Sequence, residues 1–97
     1  MNIPGNKCLP IEQQLAGERA AALSRAMGTL EKALAELASV DGKRFPKVRE
    51  ELLAEARERL WFVIVQREAI GLAHHEVVFE TLGISNEVRH AMGPRRC

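Results

Sequence analysis

Three groups of residues in this sequence are of types that could carry chemistry, and the first is histidine and glutamate near the C-terminus. His74, His75 and Glu76 are consecutive, and Glu87 precedes His90 by three residues. Neighbouring helical residues point about 100° apart, so the consecutive three do not converge on one ion. A Glu-x-x-His pair is typical of di-iron bundles, which need two such pairs and two further glutamates. We therefore predict no metal and no cofactor, and keep a metal or small-ligand binder as an alternative.

The second group is a degenerate helix-turn-helix over residues 76–92. With Gly83 as the turn glycine, Phe79 stands where a small residue must let the helices cross, and Arg89 stands where an apolar residue should be. The second helix would also stop after two turns. With 14 Lys plus Arg against 13 Asp plus Glu, the net charge of +1 gives no general attraction to nucleic acid. A small DNA-associated regulator stays an alternative, but we expect no nucleic-acid partner.

The third group is nucleophiles, and none has the surroundings that catalysis needs. Cys8 and Cys97 stand near opposite ends, and neither has a histidine within helical reach. Two such distant thiols form neither a zinc site nor the disulfide framework of a secreted domain. No serine lies in a Gly-x-Ser-x-Gly turn. We therefore predict that the protein is not an enzyme.

The cellular compartment is predicted from the lengths of the apolar segments. The first ten residues lack the apolar stretch of a signal peptide, and the longest apolar run, residues 60–65, is far shorter than the ~20 residues that cross a bilayer. The expected location is the cytoplasm, with no membrane association. At 97 residues and 46% hydrophobic, the chain fits one domain.

The spacing of apolar residues predicts an all-α fold. Ala, Leu and Glu dominate, and all three are good helix formers. A first helix is expected over residues 10–39 and a second from Pro46 to about residue 70, separated by Asp41-Gly42. In the first helix, steps of three and four connect Leu23, Met27, Leu30, Leu34 and Leu37. In the second they connect Leu53, Ala56, Leu60, Val63, Arg67 and Ile70.

The last third of the chain predicts two short helices. Gly71 should end the second helix, and a third helix is expected over about residues 74–82. Gly83 should stop that helix, and Ser85 should cap a fourth one that ends near Gly93-Pro94. The whole chain, 1–97, then forms a single helical domain with tails at 1–9 and 94–97.

The middle of the second helix is apolar on every side and must be covered on every side. A single neighbouring helix cannot do this, so we expect a homodimer in which two hairpins form a four-helix bundle. The residues predicted to form the dimer interface or core are Leu60, Trp61, Phe62, Val63, Ile64 and Val65.

A stripe of small residues runs along the first helix beside the leucines. It comprises Gly17, Ala21, Ser24, Gly28 and Ala35. Two glycines inside a helix cost about 1 kcal/mol each relative to alanine, which suggests close approach by an aromatic ring or by a second subunit. The alternative is that the glycines are merely tolerated.

A polar group, Gln66, Arg67 and Glu68, interrupts this helix, and Arg67 falls on the heptad itself. A charge buried without a partner would cost several kcal/mol. Candidate partners are Glu31, Glu36 or a second subunit, while solvent exposure and binding of an anion remain alternatives.

One run of residues resembles a known family. The run comprises Trp61, Val65, Gln66, Arg67, Glu68, Ala69, Gly71, Leu72, His75, Val78, Ile84, Glu87 and Val88. It is similar to short proteobacterial helical proteins classed only as a domain of unknown function. The resemblance implies no activity, cofactor or substrate. It does imply that residues 66–68 and His75 form one buried polar cluster, with His75 packed back on the end of the second helix.

Taken together, the residues predict a long antiparallel helical hairpin with two short C-terminal helices. The expected function is that of a non-catalytic module for dimerisation or protein interaction, whose partner beyond itself is unknown.

Overall fold

The computed structural model describes residues 10–94, and all regular structure in that range is helical. Helices α1 (Pro10–Ser39) and α2 (Pro46–Ala69) pack against each other as an antiparallel hairpin, followed by α3 (Glu76–Thr81) and α4 (Asn86–Arg89). The predicted fold class is confirmed. The tail predicted at 1–9, the last three residues of the tail at 94–97, and both cysteines lie outside the described residues.

Asp41 organises the tight turn between the two long helices. Its Oδ1 accepts hydrogen bonds from the backbone N–H groups of Lys43 and Arg44 at 3.0 and 3.3 Å. Its carbonyl accepts from the N–H of Phe45 at 2.8 Å. Pro46 then begins α2, because its fixed φ suits a first helical turn and its missing N–H is not needed there. The short turn places α2 alongside α1.

The predicted heptads form the contact between α1 and α2. The buried core of the described residues comprises Leu30, Ala33, Leu53, Ala56, Leu60, Val63, Ile64, Val78, Ile84 and Val88. The other leucines and the methionine of the α1 heptad are half-buried and pack against this core. Ile70 differs from the prediction: it is 37% exposed, because α2 ends one residue before it.

Two glycines end their helices as the sequence predicts. Gly71 and Gly83 have φ of +90° and +61°, a conformation that favours glycine. Beyond each glycine the chain folds back: the N–H of Leu72 donates to the carbonyl of Arg67 at 3.0 Å, and that of Ile84 to Phe79 at 2.9 Å. Both ends are Schellman motifs, so each glycine directs the chain back towards the core.

The two short helices are shorter than predicted. Helix α3 begins two residues later than residue 74, and α4 ends at Arg89 instead of near Gly93. Ser85 does cap α4, since its Oγ accepts from the N–H of Val88 at 3.4 Å. A helix this short persists only where packing supports it, and Val88 is the buried residue of α4.

Helices α3 and α4 cover one face of the hairpin. Their buried residues Val78 and Val88, with Ile84 between them, join the core formed by α1 and α2. Within residues 10–94 there is no helix whose length and apolar character would let it span a bilayer.

Replacing Leu60 with alanine should destabilise the chain strongly. Leu60 is fully buried at the centre of the core, and a Leu→Ala change at such a site costs about 2–5 kcal/mol. The control is Leu15→Ala, the same substitution at a helical leucine that is 46% exposed. The measurement is urea unfolding followed by circular dichroism. If the two variants lost the same unfolding free energy, the central position of Leu60 in the core would be wrong.

Candidate functional site

The side chains in the apolar centre of α2, residues 60–65, fall into a buried group and an accessible group. Leu60, Val63 and Ile64 are buried by the rest of the same chain. These three of the six residues predicted as dimer interface or core therefore serve the core of a single subunit.

The other three residues of this centre stay accessible. Phe62 and Val65 are 39% and 40% exposed, and Trp61 is half-buried. The rings of Trp61 and Phe62 pack against each other, with centroids 5.1 Å apart and planes tilted by 55°. Hence an aromatic pair and a valine remain at the surface of the subunit after its own core is complete.

Phe62 belongs to the hairpin face that α3 and α4 leave uncovered. Arg57 of α2 contacts α4, and Phe62 lies five residues further on, about 140° around the helix. We call the side that contains Phe62 the open face. On α2 it consists of Val48, Leu52, Glu55, Arg59, Phe62 and Gln66, at steps of four and three. On α1 it consists of the small residues Ala22, Ala26 and Thr29, at steps of four and three, next to the buried Ala33.

A shallow groove between the two helices runs through the open face. Arg25, Ala26 and Thr29 line one side of it, with Phe62 and Gln66 on the other. The hydroxyl of Thr29 donates back to carbonyls of its own helix, at 2.9 Å to Ala26, so Thr29 presents mainly its methyl group. A second groove near the hairpin turn continues along this face past Val48 and Leu52. The open face is thus a long surface on which α2 presents Phe62 and Leu52, while α1 presents Ala26 and Thr29 with Arg25 beside them.

The stripe of small residues on α1 lies elsewhere. All five residues of the stripe are exposed, and a Cβ added at Gly17 or Gly28 would meet nothing within 4 Å. No aromatic ring of the described chain packs closely on these two glycines.

The structure brings Arg67, Glu68 and His75 together at the end of α2. Nε of Arg67 donates to Nδ1 of His75 at 3.1 Å, and its Nη2 donates to the carbonyl of His74 at 2.7 Å. Nε2 of His75 lies 3.3 Å from Oε2 of Glu68. Arg67 therefore finds its partners in the loop after α2, and not in Glu31 or Glu36.

Both ring nitrogens of His75 are occupied within the chain. Nδ1 accepts the hydrogen bond from Arg67, and Nε2 lies within hydrogen-bond distance of the carboxylate of Glu68. His75 consequently has no free nitrogen with which to move a proton or hold a metal, and the arrangement serves as a clamp on the loop.

Two features of the predicted polar cluster differ in the structure. Gln66 lines the groove of the open face beside Phe62 and is not part of the clamp. The cluster is also not buried: the side chain of His75 is 13% exposed and that of Glu68 is 59% exposed. Every buried residue in the described part of the chain is apolar. The polar cluster is accessible to solvent because the last turn of α2 lies at the end of the core.

A second clamp, which sequence periodicity does not reveal, holds α4 at the other end of α2. Both guanidinium Nη atoms of Arg49 donate to the carboxylate of Glu87, at 2.6 and 3.1 Å. Arg57 donates from Nε to the carbonyl of Glu87 at 3.0 Å. The hydrogen bond and charge of Arg49 hold the pKa of Glu87 below its ordinary value. Spacing could not reveal a pair 38 residues apart, although a Glu in the first turn of a predicted helix is a weak signal.

Three of the residues that suggested DNA or metal binding, Glu76, Glu87 and Arg89, make contacts inside the chain. The guanidinium of Arg89 lies over the ring of Phe79, 4.2 Å from its centroid, and its Nη2 is 3.6 Å from Glu76. Glu87 is held by Arg49. Between residues 10 and 94, no three His, Cys, Asp or Glu side chains are placed so that they could hold a metal ion.

Comparison with known proteins places the chain in a family. Residues 1–95 match the model of a family described as "Family of unknown function (DUF6665)". The chain belongs to DUF6665. The predicted membership of a family of unknown function is thereby confirmed. No curated protein and no solved structure matches the chain.

Within this DUF6665 chain, Arg67→Lys should loosen the loop after α2. A lysine has no planar fork with which to hold His75 and the carbonyl of His74 together. The loss of one such hydrogen bond, ~1 kcal/mol, should make amides of residues 72–78 exchange hydrogen roughly fivefold to tenfold faster. The control is Arg19→Lys on an exposed part of α1. Unchanged exchange in Arg67→Lys would show that the clamp is not needed.

The lowered pKa of Glu87 should make the docking of α4 sensitive to acid. A carboxyl with a lowered folded-state pKa contributes stability that is present above its ordinary pKa of about 4.3 and is lost as the pH falls through the lowered value. In Glu87→Gln, the urea midpoint should therefore depend less on pH below about 4.3 than in the wild type. Glu80→Gln, at an exposed glutamate of α3, is the control. An identical pH dependence in all three proteins would contradict the role of Glu87.

Proposed function

We propose that this protein is a non-catalytic helical module that forms a homodimer through its open face. The observation that carries the proposal is the exposure of large apolar side chains there: Val48 is 46% exposed and Phe62 is 39% exposed. Both lie on α2, whose opposite side is fully used by its own subunit. A second hairpin laid on the open face would cover them and complete a four-helix bundle.

The dimensions of the open face suit such a dimer. Helix α2 has 24 residues, so it is about 36 Å long, and two packed helices present a face roughly 20 Å wide. The resulting area of roughly 700 Å² is close to the ~800 Å² per partner that stable protein interfaces bury. The small residues Ala22, Ala26 and Thr29 would let the helices of a second copy approach closely.

The small size of the core also supports association. The ten buried residues of the described chain form one cluster, shared by α1, α2 and the C-terminal segment. Small domains bury a low fraction of their surface and are marginally stable alone, and a second subunit adds to the stability of the folded state. Packing one hairpin on another would bury the apolar side chains of the open face.

The state of the polar groups supports a non-catalytic role. His75, the histidine with the most contacts, has both nitrogens engaged by Arg67 and Glu68. Arg89 is held by Phe79 and Glu76, so it is not presented for phosphate binding. We propose that the protein acts in the cytoplasm, by association with a second copy of itself.

Phe62→Asp should shift the dimer to monomer. In the proposed dimer, two charged side chains would be buried without partners, and we expect the dissociation constant to rise at least about a hundredfold. The matched control is Val77→Asp, because Val77 is 57% exposed on α3, away from the open face. The measurement is size-exclusion chromatography with light scattering at micromolar concentration, with circular dichroism to verify folding. A folded Phe62→Asp variant that stays dimeric would contradict the proposed interface.

A further inference from the structure

The open face of α2 has a second heptad pattern, distinct from the one that forms the core. Its members are Val48, Leu52, Glu55, Arg59, Phe62 and Gln66, at steps of four, three, four, three and four. Such spacing places all six along one side of a helix and is the pattern by which two helices pack together. All six are exposed or half-buried in the single subunit, so the pattern has no partner helix within the described chain.

This second heptad is symmetrical about residue 57. Moving outwards from that point, Glu55 stands opposite Arg59, and Leu52 stands opposite Phe62. The next pair along is Val48 and Gln66. The acid Glu55 thus has a base at the same distance on the other side, and Leu52 has an apolar counterpart in Phe62, while Val48 is matched by the polar Gln66. A helix of this kind is complementary to a copy of itself running in the opposite direction.

We propose that two copies of the chain pack with their α2 helices antiparallel, about a two-fold axis that passes beside residue 57. This inference rests on the proposed homodimer and specifies its register. Arg59 then lies against Glu55 of the partner subunit, and Glu55 lies against the partner's Arg59. Phe62 packs against the partner's Leu52, and Gln66 lies beside the partner's Val48.

The charges decide between the two possible directions. Glu55 and Arg59 already form an ion pair within one subunit, at 2.5 Å. In the antiparallel register the two pairs form a ring of four alternating charges, so each charge gains an opposite neighbour from the partner subunit. In a parallel register Arg59 would face the partner's Arg59, and Glu55 the partner's Glu55. Charges that face each other along helices set partner direction in this way.

Helix α1 accommodates the same arrangement. The two-fold axis lies in the plane of the interface and is perpendicular to the helices. Rotation about it places α2 of one copy over α2 of the partner subunit, and α1 over α1. On the α1 side of the open face the small residues Ala26 and Thr29 leave room for the α1 helix of a second copy, with Arg25 beside them.

Engineered cysteines test the register directly. In a full-length background with Cys8→Ser and Cys97→Ser, the double variant Val48→Cys/Gln66→Cys should form covalent dimers under oxidising conditions, because each new thiol lies beside the other position of the second copy. The two positions of one chain are 18 residues apart on a helix, about 27 Å, which is too far for a bond within the chain. Each single variant should stay monomeric on a non-reducing gel.

Each outcome of that experiment has a definite meaning. If Val48→Cys alone forms as much covalent dimer as the double variant, the helices are parallel and the inference is wrong. If the double variant does not cross-link although light scattering reports a dimer, a different face is used and the register is wrong. If the unmodified protein is a monomer by light scattering, the proposed homodimer itself is wrong.

A charge reversal gives a second, independent test. Arg59→Glu puts two glutamates of one subunit against the partner's two, so the dissociation constant of the dimer should rise at least about tenfold. The double reversal Glu55→Arg/Arg59→Glu restores alternating charges and should return the affinity to near that of the wild type. Lys32→Glu, on an exposed part of α1 outside the open face, changes the net charge equally and should have little effect. A double reversal as weak as Arg59→Glu would overturn the register.

Discussion

The structure depends on one constraint: α2 is apolar on more than one side and cannot be covered by a single neighbour. Its first side packs on α1, and its second side packs on the residues of the C-terminal segment, Val78, Ile84 and Val88. Together these two contacts bury Leu60, Val63 and Ile64. The open face is part of what remains and holds Phe62 and Val48, while Trp61 and Val65 stay accessible outside it. The proposed dimer follows from the same requirement that forms the subunit core.

The C-terminal segment is held along α2 at both ends by arginines of that helix. Arg67 binds the loop at His75 near the end of α2, and Arg49 binds Glu87 near its start. Between these two clamps the segment runs back along α2 and contributes its buried side chains to the core. Because α3 and α4 are too short to be stable by themselves, packing and these polar contacts keep them in place. They occupy one face of the hairpin and thereby define the other as open.

Apolar periodicity was sufficient to predict the two long helices and their contact, because heptad spacing and the turn at Asp41-Gly42 are local features. Glycine chemistry was sufficient for the stops at Gly71 and Gly83, whose positive φ the chain needs. The partner of Arg67 could not be predicted, since it depends on a non-helical loop that returns His75 to the helix. The ion pair of Arg49 and Glu87 joins distant parts of the sequence and has no local signal. Three of the six residues of the second heptad of α2 are polar, namely Glu55, Arg59 and Gln66. A search for regularly spaced apolar residues therefore does not detect this heptad.

In the proposed dimer, a second copy of the chain covers the open face. Sedimentation equilibrium of the unmodified protein at micromolar concentration measures whether this dimer forms. We expect a mass of twice 10.8 kDa that falls towards the subunit mass on dilution. A folded protein that sediments as a single subunit of 10.8 kDa throughout the micromolar range, without aggregation, would contradict it.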